Sequence, residues 1–113
     1  MPRRGSGHSA ERRALWHYRL RGFRILAVNA WAGGHELDLV VRRGRRLAFV
    51  EVKQKAGSDL GDPLEMVGPQ KQRRLRQAAA AWLAAHPHLA DLDVSFEVVA
   101  VRPGGVERIV EAF

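Results

Sequence analysis

Two short runs flanking a basic, glycine-containing turn constrain the fold of this 113-residue chain more than any other feature. Residues 36–41 read Glu-Leu-Asp-Leu-Val-Val, and residues 47–53 read Leu-Ala-Phe-Val-Glu-Val-Lys. Read in period two, Leu37, Leu39 and Val41 share one face of a strand, with Glu36, Asp38 and Val40 on the other. In the second run Ala48, Val50 and Val52 oppose Leu47, Phe49, Glu51 and Lys53. Both strands carry apolar residues on both faces, which is the pattern of a sheet covered by helices on each side. The intervening Arg42-Arg43-Gly44-Arg45 reads as a hairpin turn.

The flanking segments supply those helices. Residues 10–21 place Ala14, Leu15, Tyr18 and Leu20 on one helical stripe behind an N-cap at Ser9, and Gly22 is placed to end the helix. Residues 23–29 read as a strand, followed by a glycine-containing loop at 30–34. Asp62-Pro63 is placed to open a short helical turn. Pro69 sits at a good first helical position, ahead of a stripe of Leu75, Ala78, Ala79, Trp82 and Leu83 that Pro87 stops. Two strands, 94–101 and 106–110, flank the turn at Pro103-Gly104-Gly105. The expected order is α-β-β-β-α-β-β, an α/β class with a mixed sheet flanked by helices. The expected organisation is a mobile basic N-terminus over residues 1–8 and one domain over 9–113.

Composition narrows the chemistry. With no cysteine, disulfides and thiolate metal sites are excluded. No apolar run approaches the roughly 20 residues needed to span a bilayer, and the basic N-terminus lacks a following apolar stretch, so a cytoplasmic protein with no membrane partner is expected. The net charge is +7 and 16 of the 19 basic residues are Arg, whose planar fork suits phosphate. Three clusters stand out: Arg12 and Arg13 among seven arginines of the first 24 residues, Arg42, Arg43, Arg45 and Arg46 at the turn, and Lys71, Arg73, Arg74 and Arg76 in the second helix. Their distribution points to a nucleic-acid partner, the alternative being an Arg-rich composition that reflects a GC-rich genome and keeps a small protein soluble.

A two-residue loop at Arg43-Gly44 would set Glu36 opposite Glu51 and Asp38 opposite Phe49. Three carboxylates would then crowd one face within about 8 Å, with Lys53 one step beyond. Like charges so placed are destabilising. Two arrangements relieve them: a divalent cation of the Mg²⁺ or Mn²⁺ kind, which prefers carboxylate oxygens and water, or a solvated sheet edge where the acids pair with Arg. The pattern alone leaves both open.

The string Gly34-His35-Glu36-Leu37-Asp38-Leu39-Val40, followed by Phe49-Val50-Glu51-Val52-Lys53, resembles the PD-(D/E)XK nuclease signature. More narrowly, residues 11–101 resemble the YraN-like family, an uncharacterised bacterial family of that restriction-endonuclease-like superfamily. The likeness includes Glu11 and Ala14, Gly22-Phe23, Asn29, Gly61, Val67, Lys71, the Ala-rich helix and Phe96-Glu97-Val98-Val99. Two departures are His35 between the glycine and the first acid, and Gln54-Lys55 where the family favours Thr-Arg.

The resemblance implies a restriction-endonuclease-like core and a DNA hydrolase that uses a metal-activated water. It implies Asp38 and Glu51 as metal ligands, the Val52 carbonyl as a third, and Lys53 as the catalytic lysine; the bland alternative for Lys53 is an ion pair with Glu51 or Asp38. Glu11 matches a first-helix glutamate that completes the metal and catalytic site in some members, and Glu36 is a further candidate acid. Arg12, Arg13, Arg42, Arg43, Arg45, Arg46, Lys55 and Lys71 are the expected nucleic-acid contacts. The alternatives are a non-catalytic nucleic-acid-binding module or a subunit of a repair or recombination complex. A homodimer would suit cutting of both strands. His86 and His88 read as a helix-end pair rather than a zinc site, since no third nitrogen or sulfur ligand has useful spacing.

Overall fold

The computed structural model describes residues 5–54 and 67–113. Lys55, Gly61 and the turn expected at Asp62-Pro63 lie outside the described residues. The elements are α1 (Gly5–Arg19), β1 (Arg24–Ala32), β2 (His35–Arg43), β3 (Arg46–Gln54), α2 (Pro69–Ala84), a single 3-10 turn (Pro87–Leu89), β4 (Asp93–Arg102) and β5 (Gly105–Ile109). The α-β-β-β-α-β-β order is the one expected. Helix α1 starts ahead of Ser9, so that residue is not the N-cap, and Gly5 to His8 belong to the helix. Gly22 adopts φ +86° just past its end, a conformation that strains any residue with a Cβ.

The strands form one sheet in the order β1-β2-β3-β4-β5. All neighbours are antiparallel except β3 and β4, which the α2 crossover makes parallel. Ala10, Ala14 and Tyr18 of α1 pack with Leu39, Val41, Ala48, Val50, Val99 and Val101 on one face. Leu75, Ala78, Ala79 and Trp82 of α2 pack with Leu37, Val40, Leu47, Phe49, Phe96 and Val98 on the other. Both faces of β2 and β3 are therefore buried, each large aliphatic side chain contributing roughly 1.5–3 kcal/mol. Leu20, expected on the α1 stripe, is 78% exposed instead, because it follows the last helical turn.

Two expectations about the central hairpin are corrected. The loop is Gly44-Arg45, not Arg43-Gly44, and Arg43 pairs with Arg46. The left-handed residue, Gly44 at φ +60°, comes first in the loop, which is where a type II′ turn needs its glycine. The register accordingly slides by two residues, to Leu39↔Val50 and Val41↔Ala48, so Phe49 lies opposite Val40 rather than Asp38.

Strict alternation along β2 also fails. Leu37 and Val40 lie in the same α2 layer although they are three residues apart, while Leu39 and Val41 face α1. In β1, Ala27 and Ala30 repeat this spacing against the α2 layer. Between them Asn29 adopts φ +52°, and the register Val28↔Leu39, Ala30↔Leu37 sets it across from Asp38. Both strands thus change face at one level, and Asp38 sits at the break. The register shift of this pair lies further along, between Ile25 and Ala27, opposite Val41 and Val40.

Candidate metal and nucleic-acid site

The paired residues of β2 and β3 end at Leu39↔Val50. One step beyond, the Asp38 side chain takes over: the Val52 backbone N–H donates to Asp38 Oδ2 at 2.8 Å. A buried N–H without an acceptor costs about 1–3 kcal/mol, so this bond ties the acid to the middle of the Glu-Val-Lys string. Glu51 and Lys53 flank Val52 on β3, on the side that faces α2. Glu51 is buried, and its Oε2 is shared by Lys53 Nζ at 3.2 Å and by Lys71 Nζ, from the first turn of α2, at 3.4 Å. The ion pair foreseen as the bland alternative for Lys53 is therefore present, with Glu51 and not Asp38 as its partner.

Asp38 is short of compensating charge. Burial pushes its carboxyl up to about 7, and the neighbouring Glu51 charge adds to that; the Val52 N–H opposes the rise, and Glu11 and Glu36 reinforce it. Glu51, Glu36 and, from α1, Glu11 thus all bear on Asp38. Glu36 and Asp38 line a cleft of about 180 Å³ together with Trp31, Gly34, His35, Lys71, Arg74 and Leu75. Among the described residues, no three Asp, Glu or His side chains converge into a ready-made metal cage. The donor set still suits an oxygen-preferring cation of the Mg²⁺ kind, which takes one or two carboxylates and keeps several waters. A carboxyl raised by burial and by like-charged neighbours is the state that such a cation reverses.

The turn arginines are set apart from this cluster. Gly44 lies six residues from Asp38 along β2, roughly 20 Å away in an extended strand. Arg46 is committed to the fold through ion pairs with buried Glu97 at 3.3 Å and with Glu111 at 3.7 Å. Arg43 donates to the Arg21 carbonyl at 2.8 Å and lies over Phe23. Arg42 donates to the Gly44 carbonyl at 2.9 Å, and Arg45 pairs with Asp93 at 3.7 Å. On α1, Arg13 donates to the Arg102 carbonyl at 2.7 Å, while Arg12 is exposed. Lys71 and Arg74 are the basic side chains that line the Asp38 cleft. His86 Nδ1 lies 2.7 Å from the Trp82 carbonyl, and its ring stacks on Trp82, in keeping with a helix-end role.

Sequence reading missed a second charged cluster. Glu97 is wholly buried in β4. It accepts from Tyr18 Oη at 2.6 Å, from Arg108 Nε at 2.8 Å and Nη2 at 3.1 Å, and from Arg46 at 3.3 Å. A lone acid within the apolar run 94–101 was the available signal, because a buried carboxylate demands partners.

Across residues 10–101 the chain matches the uncharacterised protein family UPF0102. The chain belongs to that family. It is the YraN-like family that the motif strings resemble. A UPF0102 protein of Parvibaculum lavamentivorans is 46% identical over 97 residues, covering 86% of this chain and 71% of that protein. The UPF0102 protein bll0669 of Bradyrhizobium diazoefficiens is 40% identical over 107 residues, covering 95% and 79%. The UPF0102 protein BAV3162 of Bordetella avium is 40% identical over 112 residues, covering 99% and 77%. Among the described residues, no helix is long and apolar enough to cross a membrane.

Proposed function

We propose that this protein is a Mg²⁺- or Mn²⁺-dependent, endonuclease-like hydrolase of DNA phosphodiester bonds. The observation that carries the reading is the Asp38 cluster: a carboxyl raised by burial and three neighbouring acids, tied by Val52 to a strand that presents Glu51 and Lys53. Asp38, Glu51 and the Val52 carbonyl would hold the cation, with Glu11 and Glu36 adding negative charge around it. When bound, the cation supplies an activated water and neutralises charge developing on the phosphate. The water adds to phosphorus, the bond to one ester oxygen breaks, and that oxygen leaves as a hydroxyl.

The chain's own groups do the rest. Lys53, paired with Glu51 and next to Val52 on the strand, would orient the water and offset charge in the transition state. Lys71 and Arg74 hold the backbone phosphate at the cleft. The turn arginines and Arg12 and Arg13 contribute longer-range attraction for the polyanion.

A second reading is a nucleic-acid-binding module that does not turn over. It is favoured by Glu51, whose carboxylate is shared by Lys53 and Lys71. Cleavage of labelled duplex, flapped and single-stranded DNA with Mn²⁺ separates the two. The nuclease reading expects cleavage by the unaltered protein, lost in Asp38→Asn and in Lys53→Ala. Binding without cleavage of any substrate, or undiminished cleavage by Asp38→Asn, overturns it.

A further inference from the structure

The three tryptophans have different surroundings. Trp82 is in the core, and Trp16 lies under the Arg19 guanidinium at 5.3 Å. Trp31 is 73% exposed and, among the described residues, has no ring or guanidinium stacked on it. The exposed indole offers a free face for stacking, and its neighbours say what kind of occupant would suit it. Trp31 lines the same cleft as Asp38, Lys71 and Arg74. In the ladder it pairs with Glu36, two residues before Asp38.

The local backbone holds this residue in place. Gly33 and Gly34 form a two-residue turn with φ +59° and +81°, the two left-handed residues of a type I′ hairpin. The tip lies against the middle of α2. A Cβ on Gly33 would come within 3.1 Å of the Gln77 carbonyl and 3.2 Å of the Ala81 Cβ. Only glycine combines that approach with that backbone, so the end of β1 is fixed on the helix that also carries Lys71 and Arg74. The indole is presented on a rigid support, beside two cations that suit a phosphate.

We propose that Trp31 is a stacking platform for one unpaired nucleobase, next to the phosphate held at the Asp38–Lys71 cleft, so that the preferred substrate is DNA with a single-stranded stretch there. The inference rests on the nucleic-acid reading of the same site. In duplex DNA both faces of each base are already stacked, whereas an unpaired base offers a free face. Base–aromatic stacking of this kind contributes about 1–3 kcal/mol per base.

The test compares equilibrium binding, in EDTA, of a labelled oligothymidylate with an abasic strand of equal length and equal phosphate charge. The unaltered protein should prefer the strand with bases by about fivefold or more. Trp31→Ala should erase the preference, and Trp31→Phe should keep part of it. The salt dependence of binding should stay unchanged in both variants, since it reports phosphate contacts. Equal binding of the two strands, or a preference intact in Trp31→Ala, overturns the inference. DNA cleavage with Mn²⁺ but no preference for bases leaves the nuclease reading standing and removes the platform. A Trp31-dependent preference without cleavage does the reverse. Failure to bind either strand at low salt removes the platform along with the nucleic-acid reading.

Discussion

Asp38 accepts the backbone N–H of Val52 at 2.8 Å, just past the point where the β2–β3 pairing stops at Leu39↔Val50. One side chain thus serves two ends: it satisfies a strand amide, and it holds a carboxylate against Glu51. The two roles separate on mutation. Asp38→Asn keeps an acceptor oxygen and removes the charge; Asp38→Ala removes both. In EDTA at pH 8, Asp38→Asn should melt above the unaltered protein, by about 1–2 kcal/mol of stability after solvent screening. Asp38→Ala should melt below Asp38→Asn by about 1–3 kcal/mol, because the Val52 N–H is left unpaired. Thermal melts check both. An Asn variant less stable than the unaltered protein would place Asp38 among ordinary ion-paired acids.

The pH dependence has a definite sign. Asp38 titrates near 7 in the fold against an ordinary value of 3.8. Between those values the folded state holds a proton that the unfolded state has lost. Its contribution to metal-free stability is therefore favourable at low pH and declines as pH rises from about 4 to about 7. The Asp38→Asn variant should lack that decline. A cation competes with the proton, so Mn²⁺ affinity should climb up to about pH 7 and level off above it. At tenfold excess over its dissociation constant, Mn²⁺ should add about 1.4 kcal/mol. Melting curves with EDTA and with Mn²⁺ across this range check the slope. Equal response of both proteins to metal would remove the cation from Asp38.

Much of this was legible in the sequence, for identifiable reasons. The doubly apolar runs 36–41 and 47–53 give away a sheet covered on both sides, and Pro69 and Pro87 bracket α2, because these signals are local. The turn register was not legible. Gly44 serves either a I′ or a II′ loop, and only packing on both faces decides between them. Because the slip is an even number of residues, it left Glu51 and Lys53 on the face expected of them. The change of face at Asp38 was hidden too: it depends on Asn29, nine residues away in the chain, adopting a left-handed backbone. The partners of Glu97 come from α1, β3 and β5, and no local pattern announces such a meeting.

Lys53 and Lys71 contact the same oxygen of Glu51, yet they leave different elements and should fail differently. Lys53 is in the strand beside Val52, so Lys53→Ala should lower kcat at least tenfold with metal-induced stabilisation retained. Lys71 is on α2 at the cleft with Arg74, so Lys71→Ala should mainly raise KM and weaken DNA binding, with a smaller loss in kcat. Steady-state kinetics with Mn²⁺ and a short labelled substrate separate the two. Identical changes in both variants would mean that the lysines act only as counter-ions of Glu51.

The Glu97 cluster should control stability rather than chemistry. Its carboxylate is pushed up by burial, but the hydrogen bonds from Arg108 and Tyr18, the Arg108 charge and the Arg46 hydrogen bond outweigh that and hold it below the ordinary value of 4.5. The stabilisation is therefore complete above pH 4.5 and lost as pH falls through the lower folded value. Removing one partner of a buried ion pair typically costs about 3–5 kcal/mol, so Glu97→Gln should unfold more readily by that order at pH 7 and lose the acid-limb dependence. Tyr18→Phe, which deletes one hydrogen bond to a charged group, should cost about 1.5–3 kcal/mol. Arg46→Ser should also destabilise, unlike Arg45→Ser, whose Asp93 pair is exposed. Arg45 is therefore the turn residue with which to test DNA attraction: Arg45→Ser should reduce the salt dependence of binding by about 0.9 per lost phosphate contact at unchanged melting temperature. A Glu97→Gln protein as stable as the original would show that the cluster is dispensable to the fold.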